Sequence, residues 1–155
     1  MEDLTAQDIM QKDVVTIGPD ATVRELAELM ASHKVSGVPV VDAERRLLGV
    51  VSEGDVILQD SDLHFPHYVQ IFESVIYLES VRKFEERFKK TFGAKVSDVM
   101  STEVVTVEPS APMREVATLM ADREVNRVPV VAGGRVVGII TRGDLVRAMA
   151  LESTE

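Results

Sequence analysis

The sequence contains no cysteine, no tryptophan and no hydrophobic run long enough to cross a membrane. The absence of cysteine excludes disulfide bonds, thiol nucleophiles and zinc sites built from thiolates. A transmembrane helix needs about twenty consecutive apolar residues, and no stretch approaches that length. Basic residues are also few, 17 against 26 acidic ones. The resulting net charge of −9 argues against a nucleic-acid partner, whose phosphates require a basic surface.

The N-terminal residues, MEDLTAQD, are acidic and lack the apolar core of a signal peptide. Hydrophobic residues make up 45% of the chain and charged residues 28%, which is ordinary for a globular protein and unlike a disordered one. We therefore expect a folded cytoplasmic protein that contacts no membrane.

What the sequence does contain is an internal duplication. Ala6–Val41 aligns with Val96–Val131 and is identical to it at 18 of 36 positions. After a one-residue gap, Gly49–Ile57 matches Gly138–Val146. Two copies are too few for a solenoid, and a unit of about fifty residues has only a marginal core of its own. The duplication therefore predicts two similar units that stabilise each other.

Both copies show the same order of predicted elements. A short helical turn leads to an apolar strand, and a proline turn then leads to an amphipathic helix with apolar residues at helical spacing. Two β-branched runs predict a hairpin, and a second helix follows it. The predicted strands are Val14–Ile17, Val38–Val41 and Leu47–Val51, and Val104–Val107, Val128–Val131 and Val136–Ile140. The expected fold is of the α/β class, with two β-α-β-β-α repeats (residues 1–57 and 95–155) packed with pseudo-twofold symmetry and an insertion at 58–94.

The insertion holds all seven aromatic residues of the chain: Phe65, Tyr68, Phe72, Tyr77, Phe84, Phe88 and Phe92. Between Pro66 and Gly93 no helix breaker occurs, and apolar residues follow steps of three and four. This spacing predicts one long amphipathic helix or two shorter ones. Two interpretations are open: an elaboration that packs on the repeats, or a dimer contact or lid, since aromatic residues are enriched at interfaces.

A seven-residue motif occurs once in each copy, GVVSEGD (Gly49–Asp55) and GIITRGD (Gly138–Asp144). A hydroxyl stands where a strand ends, and an acid follows three residues later in the first turn of a helix. The free amides of a helix N-terminus suit a phosphate, and a carboxylate can accept from both hydroxyls of a ribose. Ser/Thr-x-x-Asp is also a capping box, which satisfies the same amides from within the chain. The duplication of the motif favours the ligand site without excluding the cap.

With these residues in view, the chain resembles a tandem pair of cystathionine beta-synthase (CBS) domains, a Bateman module. The shared features are DIM and DVM before the first strand, VVTI-x-P and VVTV-x-P, HKVSGVPVV and REVNRVPVV, and the duplicated motif above. The resemblance covers the two repeats and leaves out the insertion. It implies a regulatory module that binds adenosine-type ligands, such as AMP, ADP or ATP, in clefts between the repeats.

The resemblance also implies which residues hold the ligand. In the family, the hydroxyl and the acid hold phosphate and ribose, which here would be Ser52 with Asp55 and Thr141 with Asp144. The adenine rests near the first strand and the segment before the Val-Pro strand. The matching positions are Met10, Val15, Val35, Ser36 and Gly37 in one copy, and Met100, Val105, Val125, Asn126 and Arg127 in the other. Each pocket is expected to draw on both repeats.

The two copies differ in charge beside the motif. Arg142 follows Thr141, whereas Glu53 follows Ser52. A cation forms charge-assisted bonds with a phosphate and an anion repels it. We therefore expect the Thr141 site to bind phosphorylated nucleotide more tightly. Arg127 replaces a glycine of the first copy and is expected to reach the Asp55 pocket, partly offsetting Glu53.

No catalytic centre or metal site is predicted. The pair His64 and His67 has no third ligand nearby in the sequence, and no nucleophile–base pair is recognisable. The leading hypothesis is an adenine-nucleotide sensor that signals to a partner protein in trans. We expect a homodimer, because small paired modules have exposed faces. The alternatives are a structural or dimerisation module with vestigial pockets and a binder of S-adenosylmethionine. Whether a magnesium ion accompanies the nucleotide is left open.

Overall fold

The computed structural model describes residues 4–58, 68–71, 74–77 and 93–153. In chain order, its elements are α1 (Ala6–Ile9), α2 (Val23–His33), β1 (Gly37–Val41), β2 (Leu47–Ser52), α3 (Glu53–Leu58), β3 (Tyr68–Ile71), β4 (Ser74–Tyr77), α4 (Val96–Val99), α5 (Met113–Arg123), β5 (Arg127–Ala132), β6 (Arg135–Thr141) and α6 (Arg142–Glu152). The strands pair as β1 with β2, β3 with β4 and β5 with β6. The mixed α/β class with two repeats is confirmed.

The chain divides into two compact units that do not coincide with the two sequence repeats. The C-terminal unit consists of residues 1–16, 41–49 and 102–155, and the central unit of residues 17–40 and 50–101. Each unit therefore contains the body of one repeat and the first residues of the other, and the C-terminal unit also includes residues 41–49 of the first repeat.

In the C-terminal unit, β5 and β6 form an antiparallel hairpin whose register runs from Arg127 opposite Thr141 to Ala132 opposite Arg135. The turn uses Gly133 and Gly134, with φ of 59° and 81°. Both values lie in the left-handed region, which glycine adopts without steric cost. The sequence signal for this hairpin is confirmed.

The apolar stripe of α5 packs on the hairpin. Its Val116 and Met120 belong to one buried cluster with residues of both strands and of α6. The full cluster is Ala6, Val107, Ala111, Val116, Met120, Val128, Val130, Ile140 and Leu145. Ala6 is a member although it belongs to the first repeat, so the N-terminal residues complete this core.

The two short segments that begin the repeats, Ala6–Gln11 and Val96–Ser101, are termed the leader segments. In the C-terminal unit, Ala6 N–H donates to Ala111 O at 2.8 Å, and Gln11 and Ile139 exchange two backbone bonds of 2.8 and 3.0 Å. In the central unit, Val96 N–H donates to Ala21 O at 2.8 Å, and the backbones of Ser101 and Val50 exchange two bonds of 2.9 Å. Each leader segment is thus bonded to the body of the other repeat.

The central unit follows the same plan around α2. Thr22 caps this helix by accepting from Glu25 N–H at 3.1 Å, and Lys34 ends it in the left-handed conformation. The buried apolar residues of the central unit include Val23, Leu26, Val38, Val40, Val51, Val56, Val96 and Val99. The helical stripe predicted for this repeat is present, with Val23, Leu26 and Met30 buried.

The prediction of a first strand in each repeat is wrong. The run Val14–Ile17 makes only one parallel bridge, from Ile17 to Val40, and the second run makes one from Val107 to Val130. Ile17 N–H donates to Pro39 O at 3.1 Å. The next bond of each ladder would need an N–H from Pro39 or Pro129. Proline has no N–H, so the ladder stops after a single bridge.

The helical prediction for the insertion is wrong over the part that the structure describes. Tyr68–Ile71 and Ser74–Tyr77 form an antiparallel pair, with Tyr68 opposite Tyr77. The two segments, YVQI and SVIY, are rich in β-branched residues and tyrosine, whose preference for strands outweighs the helical spacing of the apolar positions. The remainder of the predicted helix, and with it the open choice between elaboration, dimer contact and lid, lies outside the described residues.

Candidate functional site

The duplicated motif forms a capping box in the C-terminal unit. Thr141 N–H and Thr141 Oγ1 donate to Asp144 Oδ2 at 2.8 and 2.9 Å, and Asp144 N–H lies 3.3 Å from Thr141 Oγ1. These bonds hold the hydroxyl and the carboxylate together at the first turn of α6. The capping role that the sequence left open is therefore present, and the ligand-binding role of the same residues stays a prediction.

Asp144 has two further partners, which the sequence did not indicate. Gln11 Nε2 lies 3.1 Å from both carboxylate oxygens, and Arg147 Nη2 lies 2.5 Å from Oδ1. The side chain of Asp144 is 7% exposed, whereas that of Arg147 is 69% exposed. A nearly buried carboxylate is thus held by two amino acids besides Thr141.

Burial raises the pKa of Asp144, because a charge is less stable away from water. Hydrogen bonds from the Thr141 backbone, Gln11, the Thr141 hydroxyl and Arg147 act in the opposite direction and outweigh burial. The pKa of Asp144 is therefore below its ordinary value of 3.8, and the group is ionised at neutral pH.

The segment before β5 joins the same site. Arg142 N–H donates to Asn126 O at 3.0 Å, and Arg127 lies opposite Thr141 in the hairpin register. Asn126 and Arg142 are exposed. Three consecutive predicted site residues, Val125–Arg127, are thereby brought to the first turn of α6. The expectation that Arg127 reaches the Asp55 pocket stays a prediction.

Met10 belongs to this site through the leader segment. A Cβ placed on Gly138 would lie 2.2 Å from Met10 Sδ, so the methionine side chain lies directly against the glycine of β6. Val15 and Val105 are half-buried residues of the same unit. The C-terminal unit thus collects Met10, Val15, Val105, Val125, Asn126, Arg127, Thr141, Arg142 and Asp144.

The central unit repeats the arrangement, with fewer partners among the residues that the structure describes. Ser52 N–H and Oγ donate to Asp55 Oδ2 at 2.9 and 3.1 Å, and Glu53 N–H donates to Ser36 O at 3.0 Å. Ser101 occupies the place that Gln11 has in the other unit, and Asp55 is half-buried. This unit collects the predicted residues Val35, Ser36, Gly37, Ser52, Asp55 and Met100.

The division of the chain into two units decides which of the expected adenine-site residues lie with which hydroxyl–acid motif. Met10 lies with the Thr141 motif and Met100 with the Ser52 motif, so each copy of the motif is joined by the leader segment of the other repeat. The sequence led us to expect that each pocket draws on both repeats, but it did not indicate which leader segment joins which motif. The Asp–Arg spacing of three on a helix could have indicated Arg147, whereas Gln11 is 133 residues from Asp144 and had no local signal.

Among the described residues, no group of three or more histidine and acidic side chains could hold a metal ion. His33 is exposed and its Nδ1 lies 3.1 Å from Leu29 O. His64 and His67 lie outside the described residues. No helix in the part of the chain that the structure describes is long and apolar enough to span a membrane.

Comparison with known proteins confirms the resemblance on which the site assignment depends. The family model of the CBS domain matches residues 6–61 and again residues 96–151. The chain belongs to the CBS-domain family. Both matches include the leader segment, the Val-Pro strand and the hydroxyl–acid motif of one repeat.

Three comparisons describe how close the likeness is. The Methanocaldococcus jannaschii protein MJ1426 is 31% identical over 156 residues, covering 96% of this chain and 92% of its own length. The crystal structure of the CBS-pair protein CBSX2 from Arabidopsis thaliana covers 99% of both chains with a TM-score of 0.78 and 27% identity. CBSX2 in complex with AMP covers 97% of this chain and 98% of that one, with a TM-score of 0.72 and 30% identity. This chain spans 59% of the full-length chloroplastic CBSX2.

Proposed function

We propose that this chain is a regulatory module that binds adenosine-type nucleotides at its two hydroxyl–acid motifs. The observation that supports this most directly is the likeness to CBSX2 solved in complex with AMP, at 30% identity over 97% of the chain. Both motifs are present here, each with its hydroxyl within 3.1 Å of its acid. A carboxylate and a hydroxyl so paired suit a ribose and a phosphate.

We further propose that the bound nucleotide regulates another protein. In this proposal the module catalyses no reaction, and nucleotide binding changes how it binds a partner protein in trans. A homodimer in the cytoplasm is the expected form. Ligand shifts such an equilibrium only by its differential affinity for the two arrangements.

A melting experiment tests the binding proposal. AMP, ADP, ATP and S-adenosylmethionine, with and without Mg²⁺, are each added at millimolar concentration and the midpoint of thermal unfolding is measured. A ligand present at 100 times its Kd stabilises the folded state by about 2.7 kcal/mol. We expect the midpoint to rise with at least one phosphorylated adenosine and to stay unchanged in an Asp55→Ala/Asp144→Ala double variant.

A structural module is the second candidate, and the two complete hydrogen-bonded caps favour it. If Ser52 and Thr141 serve only as caps, no adenosine compound will shift the melting midpoint. The alanine variants will then lower stability without any ligand-dependent difference. That pattern would contradict the binding proposal.

We further propose that the Thr141 site binds phosphorylated nucleotide more tightly than the Ser52 site. Arg142 follows Thr141 as an exposed cation, while Glu53 is an exposed anion at the matching place. Calorimetric titration of AMP into the Asp55→Ala and Asp144→Ala variants measures each site separately. A greater loss of affinity from Asp55→Ala would reverse the order.

A further inference from the structure

The carboxylate of Asp144 is fully engaged before any ligand arrives. Oδ2 accepts from the Thr141 amide and hydroxyl, Oδ1 accepts from Arg147, and Gln11 Nε2 lies 3.1 Å from both oxygens. With 7% of the side chain exposed, there is little room for an additional donor. The hydroxyls of a ribose can therefore reach this carboxylate only by displacing one of its present partners.

Arg147 is the partner that can leave most easily. Gln11 is anchored because its backbone exchanges two bonds with Ile139, and Thr141 lies three residues from Asp144 in the same cap. The Arg147 side chain is 69% exposed and long enough to swing away. Leaving a nearly buried carboxylate is nevertheless unfavourable for the guanidinium, since it gives up a charge-assisted hydrogen bond.

A phosphate on the ligand would give Arg147 a new anionic partner close by. A Cβ placed on Gly143 would lie 3.4 Å from Arg147 Nη1 and 3.7 Å from Thr141 Oγ1. The guanidinium therefore lies beside the glycine and near the hydroxyl, at the first turn of α6. An anion held at that first turn comes within reach of Arg147 while the ribose takes its place on Asp144.

We propose that Arg147 makes the Thr141/Asp144 site selective for phosphorylated nucleosides over unphosphorylated ones. This inference depends on the proposed nucleotide binding and names the feature of the ligand that one of the two sites requires. An unphosphorylated nucleoside displaces Arg147 from Asp144 and provides no other anion for the guanidinium. A phosphorylated nucleoside also displaces it, but its phosphate replaces the carboxylate as the anionic partner of Arg147.

The other copy of the repeat supplies matched control residues. Leu58 stands at the position equivalent to Arg147, and Ser101 at the position equivalent to Gln11. Arg147→Leu and Gln11→Ser therefore replace each partner with a residue that the chain itself uses at the equivalent place. Both are made in an Asp55→Ala background, so that a single site is measured.

The experiment compares AMP with adenosine by isothermal titration calorimetry. A charge-assisted hydrogen bond corresponds to roughly a tenfold to hundredfold change in affinity, so we expect AMP to bind tighter than adenosine by at least about tenfold. In Arg147→Leu the ratio should fall towards one, with adenosine gaining affinity and AMP losing it. In Gln11→Ser the ribose no longer has to displace Arg147, so adenosine should gain affinity, while AMP should lose none because Arg147 is still available to its phosphate.

The outcomes separate this inference from the proposed function. If the Asp55→Ala protein binds AMP and adenosine equally, or if Arg147→Leu leaves the ratio unchanged, nucleotide binding stands and the role of Arg147 is wrong. If the unsubstituted protein binds neither compound, the proposed function fails and this inference with it. Melting of each variant without ligand verifies that the exposed Arg147 can be replaced without unfolding.

Discussion

Gly138→Ala tests the contact that holds the N-terminal leader segment on the C-terminal unit. The added Cβ would lie 2.2 Å from Met10 Sδ, 2.7 Å from its Cγ and 3.0 Å from its Cβ. Rotation of the methionine can move the sulfur and Cγ, but its Cβ is fixed to the backbone. That backbone is held at the next residue, Gln11, by two bonds to Ile139. The segment must therefore shift.

We expect Gly138→Ala to lower the free energy of unfolding by about 1–3 kcal/mol, the usual cost of overpacking. For a chain of this length, each kcal/mol lowers the melting midpoint by roughly 2–4 °C. Urea and thermal unfolding followed by circular dichroism measure the change. Met10→Ala in the same chain should recover part of the loss, and a double-mutant cycle isolates the coupling between the two positions.

Gly54→Ala is the matched control, because within the described part of the chain a Cβ there would meet only Ser52 Oγ, at 3.6 Å. Alanine is favoured over glycine inside a helix by up to about 1 kcal/mol, so this variant should be as stable as the unsubstituted protein or more so. A Gly138→Ala protein that melts at the same temperature as the unsubstituted protein would contradict this contact. Additive effects of Met10→Ala and Gly138→Ala would contradict it as well.

Other positions give predictions of the same kind. Because the folded-state pKa of Asp144 lies below 3.8, its charge stabilises the fold above pH 3.8, and this contribution is lost as pH falls through the lower folded-state value. The difference in unfolding free energy between the unsubstituted protein and Asp144→Asn should thus shrink in that range; a constant difference would contradict it. Gly134→Ala places a side chain at φ of 81° and should destabilise the hairpin by about 1 kcal/mol, measured by urea unfolding. Leu26→Ala empties a fully buried position of the central unit and should cost about 2–5 kcal/mol by the same measurement.

Periodic and turn signals in the sequence predicted much of each repeat. The stripes of α2 and α5 and the hairpin with Gly133–Gly134 depend on residues within a few positions of one another. The capping box at Thr141 and Asp144 is equally local. The hypothesis that the same residues bind a ligand came from the occurrence of the motif in both repeats. Local chemistry determines these features, so an isolated sequence reveals them.

Features that depend on distant partners were not predictable. The first strands fail because Pro39 and Pro129, in another part of the repeat, cannot donate a hydrogen bond. In Tyr68–Ile71 and Ser74–Tyr77 the partner strand is close in the sequence, and the error has another cause: the apolar residues at helical spacing also have high strand preference. The partnership of Gln11 with Asp144 arises only when the N-terminal leader segment reaches the second repeat.

The crossed attachment of the leader segments bears on how such a fold can be encoded. A polypeptide with one repeat could complete neither unit alone, since the leader segment of each unit comes from the other repeat. Two such polypeptides could complete both by trading their ends, as in a domain swap, but only at concentrations that bring them together. Joining the repeats in tandem makes that encounter intramolecular, so assembly of both halves proceeds at any dilution.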